Sequence, residues 1–422
     1  MARSDLEQLQ LERLQATVNR AYRNVRFYRR RFRELGVEPE DIQSLDDIRR
    51  LPFTTKDDLK AAYPYEMLSV PLREIVRLHS SAGAGEEAVV VGYTRNDLRT
   101  WSELVARVIS AGEVTKRDVV QITFSYGLFT GGFGLHYGAE RVGASVIPVS
   151  TGSTERQIRI MQDFKTTALV GTPSYALHIA NVMDRMGVDP RTLSLRVGLF
   201  GGEPFPEKTR QEIESRLRVM ATDNYGLSEV MGPGVSGECK YQCGLHVNED
   251  HFLVEVVDPK TLEALPYGEQ GELVITTLTK EGMVLLRYRT RDLTSLDPEP
   301  CRCGRTNVRM SKVLGRTDDM LIIRGVKVFP SQIEAVLREV EGIEPHYQIV
   351  IEREAALDEL TILVEVSREI FPDEVSRLME LEQRIKSRIE SVTGLTPKLR
   401  LVEPKTLAEG RGGEEVVDRR SV

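Results

Sequence analysis

The stretch Asp223-Asn224-Tyr225-Gly226-Leu227-Ser228-Glu229 decides how the fold of this 422-residue chain is interpreted. A glycine that permits a tight turn stands before a hydroxyl and a carboxylate. A Glu at the end of such a turn can hold Mg²⁺ beside phosphate groups, because Mg²⁺ takes hard oxygen ligands and usually one or two protein carboxylates. The same residues also fit an ordinary strand-turn-helix junction, with Ser228 or Glu229 near the start of the helix. The stretch by itself leaves both interpretations open.

Short apolar runs that precede this stretch predict buried strands. They alternate with segments long enough for helices, and the alternation predicts an α/β fold with doubly wound, largely parallel sheets. The strand candidates are Asp118–Thr123, Ser145–Val149, Ala168–Pro173 and Leu195–Pro204. Ligands of such sheets bind beyond the carboxyl ends of the strands. We therefore expect one cleft to be surrounded by the Tyr225 turn, the Tyr126 loop and Gly201, Gly202, Glu203 and Pro204.

The two ends of the chain differ from this central pattern. The N-terminal residues from about Leu6 to Leu35 predict one amphipathic, Arg-rich helix, and a second short helix is expected near Leu45–Arg50. After about Ser311 the pattern becomes that of a small α+β domain, with strands at Met320–Ile323, Tyr347–Ile351 and Leu360–Val366 and helices at Pro330–Val340 and Val375–Val392. We expect a large N-terminal domain over residues 1–317 and a C-terminal domain over residues 318–422.

Length and composition are those of a globular protein with more than one core. A chain of 422 residues exceeds the usual size of a single domain. The apolar share of 41%, the charged share of 29% and the net charge of -7 give no reason to expect nucleic acid as a partner. No apolar run approaches the roughly 20 residues that a membrane helix needs. The charged, amphipathic start of the chain predicts a cytoplasmic protein.

All 4 cysteines fall in two close pairs, Cys239 with Cys243 and Cys301 with Cys303. So few cysteines in so long a chain do not form a disulfide framework. Close pairs are typical of metal sites, and His246 follows the first pair. Four thiolates, or three thiolates and one imidazole, would complete a tetrahedral shell, whereas free thiols in loops are the alternative. Because every cysteine belongs to one of the pairs, the sequence favours zinc.

Together these segments resemble phenylacetate-coenzyme A ligase and its relatives, including coenzyme F390 synthetase-like proteins, within the adenylate-forming ligases. Besides Tyr225 to Glu229, the resemblance is carried, in the order expected of the family, by Leu51-Pro52-Phe53-Thr54-Thr55-Lys56-Asp57-Asp58-Leu59, Tyr126-Gly127-Leu128-Phe129-Thr130-Gly131-Gly132, His136-Tyr137-Gly138-Ala139-Glu140-Arg141, Asn248-Glu249-Asp250-His251-Phe252, Arg287-Tyr288-Arg289-Thr290-Arg291-Asp292 and Gly315-Arg316-Thr317-Asp318-Asp319-Met320-Leu321-Ile322-Ile323-Arg324-Gly325. These segments are distributed along the chain from Leu51 to Gly325.

The resemblance implies a two-step ligase reaction. A carboxylic acid and ATP form an acyl-AMP and pyrophosphate, with AMP as the later leaving group, and the acyl group passes to coenzyme A. The expected acid is phenylacetate or another small aromatic carboxylic acid. The resemblance also implies Mg²⁺, a homodimer, and a structural zinc held by Cys239, His246, Cys301 and Cys303, with Cys243 as the rival of His246.

Roles in nucleotide binding follow from the same resemblance. Asp292 suits the ribose hydroxyls, because a carboxylate accepts two hydrogen bonds from a vicinal diol. Arg316 is expected on the same ribose or on phosphate, and Glu229 on Mg²⁺. The adenine is expected between Tyr225, which would stack on it, and the backbone of Gly201 to Pro204, while Asn224, Gly226 and Ser228 shape the turn. The alternatives are a surface pair for Asp292 and Arg316, and a plain strand end for the glycines.

The carboxylate substrate is expected in an apolar pocket that combines small and aromatic residues. Glycines beside aromatic rings leave room for a flat substrate, and the rings give it edges and faces on which to pack. An aryl-acetic acid fits that description, although aromatic residues at this spacing also occur in ordinary cores. The candidate lining residues are Tyr126, Phe129, Gly131, Gly132, His136, Tyr137 and Ala139.

The phosphate loop departs from the family pattern. Where relatives read close to Ser-Ser-Gly-Thr-Thr-Gly-Lys-Pro, this chain reads Ser80-Ser81-Ala82-Gly83-Ala84-Gly85-Glu86-Glu87. Each Glu within about 5 Å of a polyphosphate would oppose it by ~1 kcal/mol in water. Ser80, Ser81 and the backbone amides of the glycines still suit an oxyanion.

The C-terminus departs as well. Relatives carry a Lys after Ser-Glu-Gly that contacts the carboxylate and the α-phosphate during adenylation, and here Arg411 follows Glu409-Gly410. Arg411 is thus the candidate catalytic cation, but its forked group is not equivalent to Lys. Asp318 matches the family hinge between adenylation and thioester formation, or is a simple turn residue. Three hypotheses remain: an aryl-acid coenzyme A ligase with weakened adenylation, a coenzyme F390 synthetase-like ligase, and a catalytically impaired nucleotide or acyl-CoA binding homologue.

Overall fold

The structure, a computed structural model, describes residues 2–81, 88–203, 205–313, 315–317, 321–328, 330–338, 340, 342–354, 357–367, 375–403, 406–407 and 416–420. Contacts between Cα atoms group the chain into two compact units, Met1–Pro173 with Val182–Thr317, and Ser174–Asn181 with Asp318–Val422. The grouping of Ser174–Asn181 with the second unit was not predicted. The functional division at residue 317 stays a prediction.

The helices are, in chain order, α1 Arg3–Asn24, α2 Arg26–Leu35, α3 Lys56–Ala61, α4 Arg95–Ala111, α5 Thr130–Val142, α6 Thr154–Asp163, α7 Pro173–Met186, α8 Glu207–Leu217, α9 Pro330–Arg338 and α10 Val375–Thr393. The strands of the first unit are β1 Arg77–Ser80, β2 Val90–Tyr93, β3 Val119–Ile122, β4 Ser145–Ile147, β5 Ala168–Gly171, β6 Val197–Gly201, β7 Met220–Leu227, β8 Gly232–Glu238, β9 Leu245–Val247, β10 Phe252–Val257, β11 Gly271–Thr277, β12 Tyr288–Thr294, β13 Leu296–Asp297, β14 Arg309–Met310 and β15 Gly315–Arg316.

A 9-stranded sheet with the order β13-β14-β9-β8-β7-β6-β5-β3-β4 forms the centre of the first unit. The strands β4, β3, β5, β6 and β7 run parallel, whereas β8, β9, β14 and β13 continue the sheet in antiparallel pairs. Apolar side chains of the parallel strands and of α1, α2 and α4 are buried in one hydrophobic core. The predicted α/β fold is confirmed, and its sheet is mixed because the chain after β7 returns by a tight turn rather than by a helix.

That tight turn corrects one interpretation of the opening motif. Tyr225 and Gly226 lie inside β7, and residues 228–231 form a turn that leads directly into β8. A Cβ atom on Gly226 would lie 2.0 Å from the carbonyl oxygen of Gly232, so only glycine permits the two strands to approach this closely. The strand-turn-helix interpretation was therefore wrong, because the turn after β7 leads into a strand and not into a helix.

The N-terminal segment also differs from the prediction. The single helix expected from Leu6 to Leu35 is divided into α1 and α2 at Val25, whose backbone is extended at φ -110° and ψ 114°. Val25 is fully buried in the core, and the break allows Tyr28 and Phe32 of α2 to be buried as well. The segment Leu45–Arg50 is a 3-10 helix, where a short helix was expected.

A second, 4-stranded sheet with the order β10-β11-β12-β15 carries part of the site. It is antiparallel throughout, and the β12 to β15 register pairs Asp292 with Arg316. This register places a carboxylate and a guanidinium on neighbouring strands within the first unit.

The second unit contains β16 Leu321–Ile323, β17 Val326–Val328, β18 Ile343–Glu354, β19 Leu357–Val366, β20 Lys398–Val402 and β21 Val416–Asp418. The order of its 4-stranded sheet is β20-β19-β18-β21, and apolar residues of α9 and α10 share its core. The α+β character of this unit agrees with the sequence. In the part of the chain that the structure describes, no helix combines the length and the apolar composition needed to cross a bilayer.

Candidate active site

Asp292 on β12 is the centre of the clearest polar network. Its Oδ2 accepts a hydrogen bond of 2.6 Å from the Tyr225 hydroxyl, and its Oδ1 accepts one of 2.5 Å from Nη1 of Arg316. Asp292 is buried, and its backbone N–H donates to Thr290 Oγ1. Burial, and then the charge of the neighbouring Asp292, raise the pKa of Tyr225 well above its usual value. The phenol therefore stays protonated and donates this hydrogen bond. The network joins the motif of β7 to the 4-stranded sheet that contains β12 and β15. Asp292 and Arg316 are therefore not a surface pair.

The end of β6 lies beside Asn224 of the same motif. Asn224 Nδ2 donates to the Phe200 carbonyl at 2.5 Å, and a Cβ atom on Gly201 would lie 2.3 Å from the Asn224 carbonyl oxygen. Gly202 follows with φ +80°, a conformation that favours glycine. The register of β6 and β7 pairs Gly201 with Asn224, so the end of β6 lies beside the residue that precedes Tyr225. Pro204 lies outside the described residues.

The turn after β7 is held by side chains from several elements. Ser228 Oγ lies 2.9 Å from Thr130 Oγ1 at the start of α5, and both hydroxyls are buried. The Tyr93 hydroxyl donates to the Met231 carbonyl at 3.0 Å, and Trp101 Nε1 donates to the Pro233 carbonyl at 2.8 Å. Glu229 is 1% exposed at the centre of this turn. These hydrogen bonds fix the turn. They therefore also fix the position from which Glu229 would present its carboxylate.

The seryl pair at the end of β1 offers two hydroxyl groups. The backbone N–H of Ser80 donates to the Leu128 carbonyl at 3.1 Å, and that of Ser81 donates to the Val89 carbonyl at 3.1 Å. Both Oγ atoms are buried and have no hydrogen-bond partner among the described residues. Buried hydroxyls of this kind are unfavourable unless a further partner binds, so they fit the phosphate contact expected of them. Residues 82–87, which contain Glu86 and Glu87, lie outside the described part.

Aromatic residues of α5 and of the loop before it form the expected pocket region. The Tyr126 hydroxyl lies 3.1 Å from His136 Nδ1, and His136 Nε2 lies 3.2 Å from Glu140. Tyr126 contacts Phe133 edge to face, and Phe133 stacks with Tyr137. The structure therefore brings Tyr126, His136 and Tyr137 together, and Phe129 lies close by against Phe124.

The small residues of this region also allow close packing of the backbone. A Cβ atom on Gly131 would lie 2.5 Å from the Phe129 ring, and one on Gly132 would lie 2.6 Å from the Ser125 carbonyl oxygen. Ala139 is fully buried. These residues permit the loop before α5 to approach the helix closely, so the width of any pocket depends on the aromatic side chains.

The cysteine pairs meet at one place beside β9. The ligand atoms of Cys239, His246, Cys301 and Cys303 all lie within 4.8 Å of one another. The Sγ atoms of Cys239 and Cys301 are 3.8 Å apart, and Cys303 Sγ lies 3.5 Å from His246 Nε2. Burial, and then the charges of Arg305 and Arg309, lower the pKa of His246 to about 4, which keeps the imidazole neutral and able to bind a metal.

Cys243 has a different place in this cluster. Its Sγ lies 3.4 Å from that of Cys301, but its side chain is exposed and it is not among the four mutually close groups. Tetrahedral zinc with ~2.3 Å bonds to sulfur separates two thiolates by roughly 3.8 Å, so the other four residues fit the ion. The geometry prefers His246 to Cys243.

Comparison with known proteins relates this arrangement to a family. The family profile described as AMP-binding enzyme matches residues 91–279, and the one described as AMP-binding enzyme C-terminal domain matches residues 325–420. The chain is 48% identical to the phenylacetate-coenzyme A ligase of Thermus thermophilus over 98% of this chain and 96% of that protein. It is 44% identical to the phenylacetate-coenzyme A ligase of Escherichia coli over 97% of this chain and 93% of that protein. The chain belongs to the phenylacetate-coenzyme A ligase family.

A solved structure of another coenzyme A ligase has the same fold. The crystal structure of 2-hydroxyisobutyryl-CoA ligase in complex with 2-HIB-AMP and CoA, in the thioesterification state, matches with a TM-score of 0.94 and 30% identity, covering 100% of this chain and 91% of that one. The family resemblance and the fold expected from the sequence are thus confirmed.

Two further residues of this phenylacetate-coenzyme A ligase family member escaped the sequence analysis. The Arg77 guanidinium lies 4.9 Å from the centre of the Tyr137 ring and 5.2 Å from that of Phe133, and Nη2 donates to the Tyr137 hydroxyl at 3.2 Å. Lys280 is buried and donates to the Glu229 carbonyl. Neither residue stands in a pattern that distinguishes it from a surface cation. Asp318 and Arg411 lie outside the described residues.

Proposed function

We propose that the protein is an ATP-dependent, AMP-forming aryl-acid coenzyme A ligase, whose substrate is phenylacetate or a close relative. The reaction is phenylacetate, ATP and coenzyme A to phenylacetyl-CoA, AMP and pyrophosphate through an acyl-adenylate. The observation that carries the proposal is the Tyr225, Asp292 and Arg316 network, within a chain that aligns over almost its full length with phenylacetate-coenzyme A ligases.

The polar residues of the site form two groups, one suited to the ribose of ATP and one to its phosphates. The Asp292 carboxylate has lone pairs beyond those used by Tyr225 and Arg316, so it can also accept hydrogen bonds from the ribose diol. Ser80 and Ser81 supply hydroxyl groups for phosphate oxygens, and the fixed turn holds Glu229. Mg²⁺, when bound, would neutralise phosphate charge beside Glu229.

The acid would be held by the aromatic residues before and within α5. Tyr126, Phe129, His136 and Tyr137 would supply ring faces and edges for an aryl group. The carboxylate oxygen of the acid attacks the α-phosphorus, and pyrophosphate leaves; the sulfur of coenzyme A then attacks the acyl carbon, and AMP leaves. In water-excluded surroundings the role of the protein is to hold these groups in line.

The changed phosphate loop and C-terminus favour a slow adenylation step. Glu86 replaces the Lys that would attract phosphate, and Arg411 stands where relatives carry the catalytic Lys. Loss of one preorganised group at a developing charge typically costs a factor of roughly 100 to 1,000 in rate. This observation keeps the impaired binding homologue as the second candidate, whereas no feature of the described residues favours the coenzyme F390 synthetase-like alternative.

The deciding experiment is pyrophosphate release from ATP and Mg²⁺ with phenylacetate and a panel of aryl acids, with coenzyme A present. Release that depends on the acid supports the ligase and identifies its substrate class. A Glu86→Lys, Arg411→Lys double variant serves as the matched comparison. No release by the wild type, with recovery in the variant, would favour the binding homologue.

We also include in the proposal a structural zinc on Cys239, His246, Cys301 and Cys303. Three thiolates and a neutral imidazole are ligands typical of structural zinc. The hinge at Asp318, the functional domains over residues 1–317 and 318–422, and a homodimer rest on the family resemblance alone. Light scattering of the purified protein tests the dimer.

A further inference from the structure

Lys280 is a lysine in a place where lysines are rare. It follows β11 and is 1% exposed. Its Nζ donates to the Glu229 backbone carbonyl at 3.1 Å and lies 4.8 Å from the centre of the Tyr93 ring. Lysine is almost never fully buried unless it is paired, because an ammonium group is strongly hydrated in water. The position thus points to a use for its hydrogen bond to the turn.

The two residues that follow Lys280 are hydrogen-bonded through their backbone to the start of α4. The backbone N–H groups of Glu281 and Gly282 donate to the Asp97 carboxylate at 2.7 and 2.9 Å. Asp97 is 0% exposed and also forms the capping box of α4 with Thr94. A Cβ atom on Gly282 would lie 2.5 Å from the Gly92 carbonyl oxygen, so the segment lies directly against β2. Lys280 is therefore held in one position relative to the turn.

The Tyr93 ring connects Lys280 to the same turn. Lys280 Nζ lies over this ring, and the Tyr93 hydroxyl donates to the Met231 carbonyl at 3.0 Å. The ring in turn contacts the rings of His79 and Trp101. An apolar residue in place of Lys280 would remove the donor to the Glu229 carbonyl.

We propose that Lys280 is a positioning residue that acts through Glu229. Its hydrogen bond to the Glu229 carbonyl fixes the backbone of the turn, and this holds the Glu229 side chain in the orientation that receives Mg²⁺. The inference rests on the proposed function, because Glu229 has a metal to bind only if the protein uses Mg·ATP. A residue that orients a metal ligand typically changes metal affinity or activity by about 10 to 100-fold when it is replaced.

The test compares Lys280→Met and Lys280→Gln with the wild type. Lys280→Met keeps the length of the side chain without its charge, and Lys280→Gln keeps an N–H donor for the Glu229 carbonyl. Lys312→Met is the matched control, because Lys312 also lies near an aromatic ring, 5.6 Å from the centre of Phe205, but is 23% exposed and pairs with Glu207. Calorimetry of ATP binding at increasing Mg²⁺, pyrophosphate release and thermal unfolding are measured for each protein.

We expect Lys280→Met to raise the half-saturating Mg²⁺ concentration by ~10-fold or more, with the KM for the aryl acid unchanged. Lys280→Gln should lie between this variant and the wild type, and Lys312→Met should match the wild type. Because Lys280 acts through Glu229, adding Lys280→Met to Glu229→Gln should cost little more than Glu229→Gln alone.

The outcomes separate the two proposals. A wild type that binds no Mg·ATP contradicts the proposed function, and the role of Lys280 with it. A wild type that binds Mg·ATP, together with folded Lys280 variants whose Mg²⁺ requirement is unchanged, overturns the role of Lys280 alone. A lower melting temperature without a changed Mg²⁺ requirement overturns it too, since that is the result of a purely structural role. If Lys280→Met does not fold, Lys280→Gln decides by the same criteria.

Discussion

The Asp292 carboxylate is held in one orientation by its neighbours. Tyr225 and Arg316 approach different oxygens of the carboxylate from β7 and β15, so its orientation is fixed by two strands and by its own position on β12. Preorganised acceptors bind a diol more tightly than mobile ones, because less side-chain entropy is lost on binding.

At this scale we predict that Asp292→Asn raises the KM for ATP by ~10-fold or more. An amide cannot accept from the ribose diol at both of its polar atoms, and it leaves Arg316 without its anionic partner. Tyr225→Phe removes one donor but keeps the carboxylate, so its effect should be several-fold smaller. Steady-state kinetics of pyrophosphate release measure both. An unchanged KM in a folded Asp292→Asn protein would refute the assignment.

At the scale of elements, α1 and α4 are joined through one acidic residue. Asp250, which follows β9, accepts hydrogen bonds of 3.0 and 2.9 Å from Arg107 of α4, and Arg13 of α1 donates to its backbone carbonyl. Burial alone would raise the pKa of Asp250, but the hydrogen bonds and charges of His251 and Arg107 bring it well below its usual value. The ionised form therefore stabilises the fold.

We predict that Asp250→Asn lowers the free energy of unfolding at pH 7 by roughly 1–3 kcal/mol. The folded-state pKa is depressed, so the contribution is complete above the unfolded value of ~3.9 and is lost as pH falls through the folded value. The difference between variant and wild type should consequently shrink when pH is lowered below ~4. Denaturant unfolding at both pH values measures it. Asp46→Asn is the control, since Asp46 is 92% exposed and lies 4.0 Å from Arg49.

The elements also show what a sequence can reveal. The strands β3, β5 and β6 were predicted nearly to their ends, because short apolar runs between helices have few other interpretations. The break at Val25 was not predicted, since a buried valine fits a helix equally well. The return from β7 into β8 depends on the approach of Gly226 to Gly232, a contact between residues that a pattern of local periodicity does not describe. Lys280 was missed for the same reason, because its partner Glu229 is 51 residues away.

For the molecule as a whole, the cysteine cluster brings together residues from distant parts of the chain. Cys239 and Cys301 are separated by 62 residues. The intervening segment contains β10, β11 and β12, and Asp292 lies on β12. A metal that binds the folded chain and not the unfolded chain stabilises the fold by its binding free energy. Zinc would thus support the nucleotide network without contacting it.

We predict that the purified protein contains about one zinc per chain, and that stripping it with a chelator lowers the melting temperature by ~5 °C or more. Cys303→Ser and His246→Ala should lose the metal and melt at the temperature of the stripped wild type. Cys243→Ser is the internal control, because Cys243 is exposed and stands outside the four mutually close ligand atoms, so this variant should retain its zinc. Metal analysis and thermal unfolding of the same samples measure both quantities. Loss of zinc in Cys243→Ser with retention in His246→Ala would show that Cys243, and not His246, is the fourth ligand. A protein that never binds zinc would contradict the metal site and leave the cluster as a set of free thiols.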